Sequence, residues 1–246
     1  MKVLAIIPTR SKSTRFPGKF LAKIKGKEMV LRVYEQIQKA KEITDIMIAS
    51  DDPEMEEFCK ENNIVHLMTS EEHQTGTDRV AEVARRVEAD IYVNVQGDEP
   101  IIPPEAINLT ALRMKELMDS GALAVNAFDK DCSDENADDS SIVKMVTTVD
   151  EKHVLFLSRY GIPFQKGEKP VRKTQLGLYA FTRKGLDVFS SRGLGPIEQS
   201  ENVEMLRYIE YGDKLGAVEV PGGAVSVDFD WQIDKVEKIM DERGLE

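Results

Sequence analysis

The 246-residue sequence has only two cysteines and no long apolar run. The first feature argues against a cysteine metal site, and the second against a membrane-spanning segment. Its two cysteines, Cys59 and Cys132, are not spaced as metal ligands, so we expect buried or incidental thiols in a reducing compartment. Nowhere do eighteen apolar residues run together, and the five from Val3 to Ile7 are too few for a signal-peptide core. We therefore expect a cytoplasmic protein with no membrane partner.

The sequence also lacks the basic surplus that is typical of a nucleic-acid binder. Its 33 Lys and Arg residues face 44 Asp and Glu, which gives a net charge of -11, so we expect no nucleic-acid partner. Internal repeats, low-complexity tracts and linkers are absent as well. This predicts a single domain spanning residues 1–246.

Apolar runs alternate with helical patterns over the first hundred residues. Strands are expected at 3–7, 46–49, 65–68 and 91–95, and helices at 29–41, 53–62 and 75–88. Further strands are expected at 122–128, 143–149, 176–181 and 216–220, helices at 201–211 and 231–243, and an exposed acidic loop at 129–141. The βαβ alternation predicts an α/β fold with a mainly parallel sheet flanked by helices.

Four cations follow the first strand within ten residues: Arg10, Lys12, Arg15 and Lys19. Open α/β sheets bind ligands beyond the carboxyl ends of their strands, so this loop predicts a polyphosphate site. A solvated basic turn is the alternative. Neither GxxxxGK[ST] nor GxGxxG follows the strand, so side-chain cations would do here what backbone amides do in those loops.

Two carboxylates are candidate Mg²⁺ ligands. Asp98 lies in VQGDEP at the end of the predicted strand 91–95, where a carboxylate would meet a phosphate-bound ion, although a simple turn would use the same residues. Asp228 lies in VDFD before the last helix, where it could equally be a helix N-cap. If Asp228 is the ligand, Asp230 becomes the candidate cap.

The segment HQTGTDR at 73–79 opens a predicted helix. Its free amides and hydroxyls could contact a base or a ribose, and Arg79 could pair with a phosphate or with a local carboxylate. Simple helix capping is the alternative interpretation. None of the three histidines, His66, His73 and His153, has a sequence context that demands a general base.

Six segments, in order along the chain, resemble the motifs of the 3-deoxy-manno-octulosonate (Kdo) cytidylyltransferases. They are PTRSKSTRFPGK at 8–19, TGTDR at 75–79, VQGDEP at 95–100, SRYGIPF at 158–164, LGLYAF at 176–181 and VDFD at 227–230. The resemblance implies a Rossmann-like nucleotidyltransferase fold with a small dimerisation region near 130–195, and a homodimer. It also implies a Mg²⁺-dependent enzyme of lipopolysaccharide synthesis that joins CTP to a sugar acid and releases pyrophosphate.

The resemblance assigns roles to individual residues. The catalytic residues would be Lys19, Arg10, Arg15 and Asp98, and the metal ligands Asp98 and Asp228. The nucleotide would be bound by Pro8, Thr9, Arg10, Ser13, Lys19, Gln74, Gly76, Thr77, Arg79 and Gln96. The acceptor would be bound by Gln96, Arg159, Gln175, Tyr179, Glu204 and Met205.

The sequence departs from the family at two acceptor positions. Gln175 stands where these enzymes have His, and Met205 stands where they have Gln. The acceptor could therefore be Kdo, its 8-amino-3,8-dideoxy analogue, or another acid such as a sialic-type sugar or a phosphonate. A nucleotide-binding paralogue without catalysis is the alternative from another class, although Lys19, Asp98 and Asp228 are all present.

Overall fold

The computed structural model of the protein describes residues 1–11, 16–130 and 138–245. Its strands are β1 (Val3–Pro8), β2 (Lys23–Ile24), β3 (Lys27–Glu28), β4 (Asp45–Ser50), β5 (His66–Met68), β6 (Ile91–Val95), β7 (Ala124–Asp129), β8 (Lys144–Thr147), β9 (Val154–Ser158), β10 (Lys173–Phe181) and β11 (Leu215–Glu219). Its α-helices are α1 (Met29–Gln38), α2 (Pro53–Glu61), α3 (Gly76–Arg86), α4 (Pro104–Met118), α5 (Arg183–Ser191), α6 (Pro196–Glu201), α7 (Leu206–Glu210) and α8 (Gln232–Arg243). A 3₁₀ turn covers Lys19–Leu21.

The main sheet has the strand order β11-β7-β10-β6-β1-β4-β5. Its pairs β11·β7, β6·β1, β1·β4 and β4·β5 are parallel, whereas β10 runs antiparallel to both β7 and β6. Strands β8 and β9 extend the sheet from β10. The expected mainly parallel sheet is therefore confirmed, with one antiparallel strand inserted near its middle.

The central strand β1 shows why the first apolar run has no polar alternation. All six of its residues are buried, because helices cover both faces of the sheet. Val3, Ala5 and Ile7 pack with residues of α1, α2 and α4, whereas Leu4 and Ile6 pack with residues of α3 and α5. Each fully buried Val, Leu or Ile side chain stabilises the fold by about 1.5–3 kcal/mol.

The prediction of one helix from Glu201 to Tyr211 was wrong. The chain leaves α6 at Asn202, whose backbone is left-handed at φ 52°, and re-enters helical structure only at Leu206. Asn adopts this conformation more readily than most residues, and it commonly ends helices. The break reorients the residues between the two helices.

Several elements escaped the sequence prediction: helices α4, α5 and α6, strand β9 and the β2–β3 hairpin. Helix α4 does carry a start signal, since Pro104 occupies its first turn. Cys59 is buried as expected, while Cys132 and most of the predicted acidic loop lie outside the described residues. Among the described helices, none combines the length and the apolar character that crossing a bilayer requires.

Candidate active site

A cavity of about 470 Å³ opens at the carboxyl ends of β1 and β6. This is where an open α/β sheet is expected to bind a ligand. Most of the predicted site residues line it, namely Pro8, Thr9, Arg10, Lys19, Gln74, Gly76, Arg79, Gln96, Asp98, Arg159, Gln175, Tyr179, Glu204 and Asp228. The fold thus brings together residues that the sequence separates by more than 200 positions.

The end of β1, the start of α3 and the end of β6 meet closely at one wall. A Cβ atom added at Gly76 would lie 3.3 Å from Pro8 Cγ and 3.4 Å from Gln96 Nε2. A side chain at position 76 would therefore push these neighbours apart. The glycine lets Pro8, Gly76 and Gln96 form one continuous surface on the predicted nucleotide side.

Lys19 lies between the two candidate metal ligands. Its Nζ is 2.5 Å from Asp98 Oδ2 and 3.7 Å from Asp228 Oδ1. The Val227 amide donates to the Asp98 carbonyl oxygen at 2.9 Å, and this backbone contact holds Asp228 near the end of β6. Asp230 is not the N-cap of α8, which is Trp231, although Asp230 Oδ1 accepts a hydrogen bond from the Trp231 amide.

Arg79 is paired with a carboxylate of its own structure. Its Nη2 lies 3.0 Å from Asp51 Oδ2, and both side chains are buried. Asp51 Oδ1 also accepts a hydrogen bond from the Ser11 amide at 2.8 Å. Of the two partners considered for Arg79, the structure shows the local carboxylate, and this pair ties α3 to the start of the basic loop. Arg10 is exposed and, among the described residues, has no carboxylate partner.

The N-terminus of α3 is capped from two sides. The Thr75 hydroxyl accepts a hydrogen bond from the Asp78 amide at 3.1 Å, and Glu204 Oε2 accepts one from the Thr77 amide at 3.2 Å. Burial raises the pKa of Glu204, and its hydrogen bonds with Thr77 and Thr75 oppose that shift. The capping interpretation of this segment is therefore correct for Thr75, while Thr75, Gly76 and Glu204 still line the cavity.

Arg159 uses its guanidinium to hold the backbone. Its Nε donates to the Glu201 carbonyl at 2.6 Å, Nη2 donates to the Asn202 carbonyl at 3.2 Å, and Nη1 donates to the Ser140 carbonyl at 2.8 Å. These contacts fix the chain at the end of α6, which forms one wall of the cavity. Arg159 lines the cavity as predicted, with its donors directed at carbonyl groups.

Two of the described site residues that the sequence predicted are not brought into the cavity. Thr77 and Met205 have no exposed surface, and neither lines it. Met205 packs in an apolar cluster, three residues after the left-handed turn at Asn202. Its contact with an acceptor stays a prediction, and in this structure Met205 does not reach the cavity. Ser13 and Arg15 lie outside the described residues.

The cavity is also lined by ionisable residues to which the sequence analysis gave no role. Glu198 lines it and holds Arg207 through two hydrogen bonds, at 2.7 and 2.8 Å. His73 lines it as well, with Nε2 at 2.6 Å from Glu82 Oε2. Glu82 is nine residues from His73, so only the folded chain shows that the two form a pair.

Glu99 is a buried carboxyl group next to Asp98. Burial raises its pKa to about 8, the Asp98 charge adds to the rise, and a hydrogen bond from the Gly177 amide opposes it. Its Oε2 has no hydrogen-bond partner among the described residues. A group in such surroundings is neutral at pH values below about 8, so it adds no second negative charge beside Asp98.

The chain is similar to known proteins over nearly its whole length. The family model described as "Cytidylyltransferase" matches residues 4–215. A 3-deoxy-manno-octulosonate cytidylyltransferase from Koribacter versatilis (strain Ellin345) is 35% identical over 99% of this chain and 92% of the relative. One of the same name from Geobacter metallireducens is 37% identical over 96% of each chain.

The fold is likewise shared with solved structures. A structure described as that of a CMP:2-keto-3-deoxy-manno-octonic acid synthetase complexed with CTP matches with a TM-score of 0.92. It is 33% identical and covers 99% of this chain and 100% of its own. The protein therefore belongs to the cytidylyltransferase family and, within it, to the group of the 3-deoxy-manno-octulosonate enzymes.

Proposed function

We propose that the protein transfers the cytidylyl group of CTP to a 3-deoxy-octulosonic acid, giving the CMP-sugar and pyrophosphate for lipopolysaccharide synthesis. The observation that supports this most is the arrangement of one cavity. The predicted nucleotide residues Gly76 and Gln96, the predicted catalytic residues Lys19 and Asp98, and the predicted acceptor residues Gln175 and Glu204 all line it. Both substrates would meet over the Lys19–Asp98 pair.

In the reaction, the sugar hydroxyl attacks the α-phosphorus of CTP. Most of the rate acceleration would come from positioning the two substrates and from neutralising the charge of the triphosphate. Lys19 is buried and lines the cavity, and an ammonium group in such surroundings interacts strongly with a phosphate oxygen. Arg10, which has no carboxylate partner among the described residues, can contact the outer phosphates. Gln96 and Gly76 would then orient the cytidine.

The donor set suits Mg²⁺ in combination with a nucleotide. Asp98 and Asp228 both line the cavity, and a carboxylate oxygen of each lies within 4 Å of Lys19 Nζ, at 2.5 and 3.7 Å. Among the described residues, no cluster of three or more His, Cys, Asp and Glu side chains could hold a metal ion. Mg²⁺ takes one or two carboxylates and completes its shell with phosphate and water, so this pair is sufficient. Bound there, the ion would neutralise charge on the triphosphate.

The choice of acceptor depends on the wall that contains Gln175. This residue lines the cavity beside Tyr179, at the position where the related enzymes were expected to have His. A different hydrogen-bonding group at this point favours a modified octulosonic acid, of which the 8-amino-3,8-dideoxy analogue is the leading candidate, alongside Kdo itself.

A homodimer also forms part of the proposal. Exposed apolar side chains occur in the expected dimerisation region, with Leu155 56%, Tyr160 83%, Phe164 86% and Val171 71% exposed. Burial of such groups against a second copy would stabilise a pair of chains. Light scattering on the eluting protein should give about twice the 27.7 kDa chain mass, and a monomer at micromolar concentration would refute the pairing.

Pyrophosphate release from CTP and Mg²⁺ tests the function directly. The acceptors are Kdo, its 8-amino analogue, a sialic-type acid and a small phosphonate, each assayed separately. Turnover with an octulosonic acid supports the proposal, and the ratio between Kdo and the amino analogue identifies the preferred acceptor. Turnover only with a sialic acid or a phosphonate would overturn the acceptor class, and CTP binding without any turnover would favour a non-catalytic paralogue.

A further inference from the structure

Strand β10 is irregular where it passes the cavity. Gln175 pairs with Phe128 of β7 and Tyr179 pairs with Asn126, so four steps along β10 match two steps along β7. The extra residues leave backbone groups of β10 outside the regular ladder. A buried side chain of the neighbouring strand satisfies them.

That side chain is Asn126, which has no exposed surface. Its Nδ2 donates to the carbonyl oxygens of Ala127 and Leu176 at 3.0 Å each, and it lies 3.4 Å from the carbonyl oxygen of Leu178. Carbonyl oxygens only accept, so the amide nitrogen must face them. The orientation of the Asn126 side chain is thereby fixed by the bulge.

The fixed Asn126 determines the orientation of Gln175. Asn126 Oδ1 accepts a hydrogen bond from Gln175 Nε2 at 2.8 Å. Reversing the Gln175 amide would place two acceptor oxygens against each other and leave the oxygen of the buried Asn126 side chain unpaired, which costs free energy. Gln175 thus has its nitrogen towards the core of the sheet, which leaves its carbonyl oxygen for the cavity that it lines.

We infer that Asn126 is a positioning residue that fixes the Gln175 amide with its oxygen towards the acceptor substrate, so that this wall selects an acid carrying a hydrogen-bond donor. The inference rests on the proposed function, because it needs an acceptor in the cavity. A hydroxyl group and an ammonium group would both supply the donor. An ether oxygen or a carboxylate at the same point would leave the Gln175 oxygen unpaired.

The test compares the KM values of the acceptor and of CTP in matched variants. Asn126→Ala releases the Gln175 amide, Gln175→Met removes it, and the double variant combines them. Asn108→Ala is the control, because it removes another buried amide, one that contacts Glu42 and Glu105 away from the cavity. Thermal unfolding shows that each variant is folded.

Loss of one oriented hydrogen bond changes binding by about tenfold. We expect Asn126→Ala to raise the acceptor KM about tenfold, while the KM for CTP changes by less than about twofold. In the Gln175→Met background, Asn126→Ala should raise the acceptor KM further by less than about twofold. A merely structural role would change the amount of folded enzyme without singling out one substrate. An unchanged acceptor KM, or equal effects in both backgrounds, would overturn the inference.

A second measurement does not require Asn126→Ala to fold. Kdo, its monodeoxy analogues and its 8-amino analogue are compared on the wild type and on Gln175→Met. For one deoxy analogue, kcat/KM should be about tenfold lower than for Kdo on the wild type, and less than about twofold lower on Gln175→Met. An equal ratio on both enzymes would refute the inference. Comparison of kcat/KM for the 8-amino analogue and for Kdo shows whether the donor that Gln175 recognises is an ammonium group or a hydroxyl group. A wild type that turns over neither would instead refute the proposed function, and the inference with it.

Discussion

Lys19 Nζ lies 2.5 Å from Asp98 Oδ2, and both residues of this ion pair line the cavity. The Lys19 side chain is 9% exposed and the Asp98 side chain 21% exposed, so solvent screens the pair only in part. An incoming triphosphate would compete with Asp98 for the ammonium group. We expect the pair to rearrange when CTP and Mg²⁺ bind.

Asp98→Asn should abolish most turnover while CTP still binds. The amide cannot supply the charge that a metal ligand needs, and loss of a preorganised electrostatic group costs about 100-fold or more in kcat. Pyrophosphate release measures the rate, and calorimetry with CTP measures binding. Asp234→Asn, at an exposed position of α8, is the control and should be fully active. Full activity of Asp98→Asn would disprove the metal assignment.

Arg79→Met should destabilise the protein strongly. The change leaves the buried carboxylate of Asp51 without its partner, and breaking such a pair costs about 3–5 kcal/mol. Urea unfolding measures the free energy of unfolding. Arg85→Met, on the exposed side of the same helix, should change it by less than about 0.5 kcal/mol. Equal stability of the two variants would show that the Arg79 pair contributes nothing.

Met205→Gln should lower stability without improving turnover of Kdo. Met205 has no exposed surface and packs among apolar side chains, so a Gln there would bury an amide at a cost of about 1–3 kcal/mol. Met68→Gln is the exposed control. Unfolding and Kdo kinetics are measured together, and a gain in kcat/KM for Kdo would show that position 205 reaches the acceptor after all.

Glu99 should make the protein less stable as the pH rises. Burial raises the pKa of Glu99 to about 8 in the folded state, against 4.5 for an ordinary Glu. Between these values the folded state binds more protons than the unfolded state. The contribution of Glu99 to the free energy of unfolding is therefore fully present below about pH 4.5 and is lost as the pH rises to about 8. Melting curves at pH 5, 6.5 and 8 measure this effect.

Replacement of Glu99 gives the comparison. The side chain in Glu99→Gln cannot ionise. The Tm of this variant should therefore decrease less steeply between pH 5 and 8 than the Tm of the wild type. The exposed Glu61→Gln should follow the wild-type slope. Parallel curves for Glu99→Gln and the wild type would mean that Glu99 is already ionised in the folded protein.

The local elements around the site could be predicted from local chemistry. The run Val3–Ile7 is apolar throughout because both sheet faces are covered, and Pro53 and Thr75 mark helix starts through their own backbone preferences. The prediction of one helix over 201–211 was wrong, because the apolar spacing does not indicate the left-handed turn at Asn202. Met205, which follows this turn, is buried and does not line the cavity.

The sequence by itself determined the buried parallel strands, the basic loop after β1 and the motifs that define the family, because each depends on neighbouring residues. Only the tertiary structure decided which side chains meet. The Val227 amide places Asp228 near Lys19, Asp51 captures Arg79, and the bulge in β10 orients Asn126 against Gln175. These contacts join residues 28 to 209 positions apart, and at such separations the packing of the sheet, not the local pattern, sets the distance.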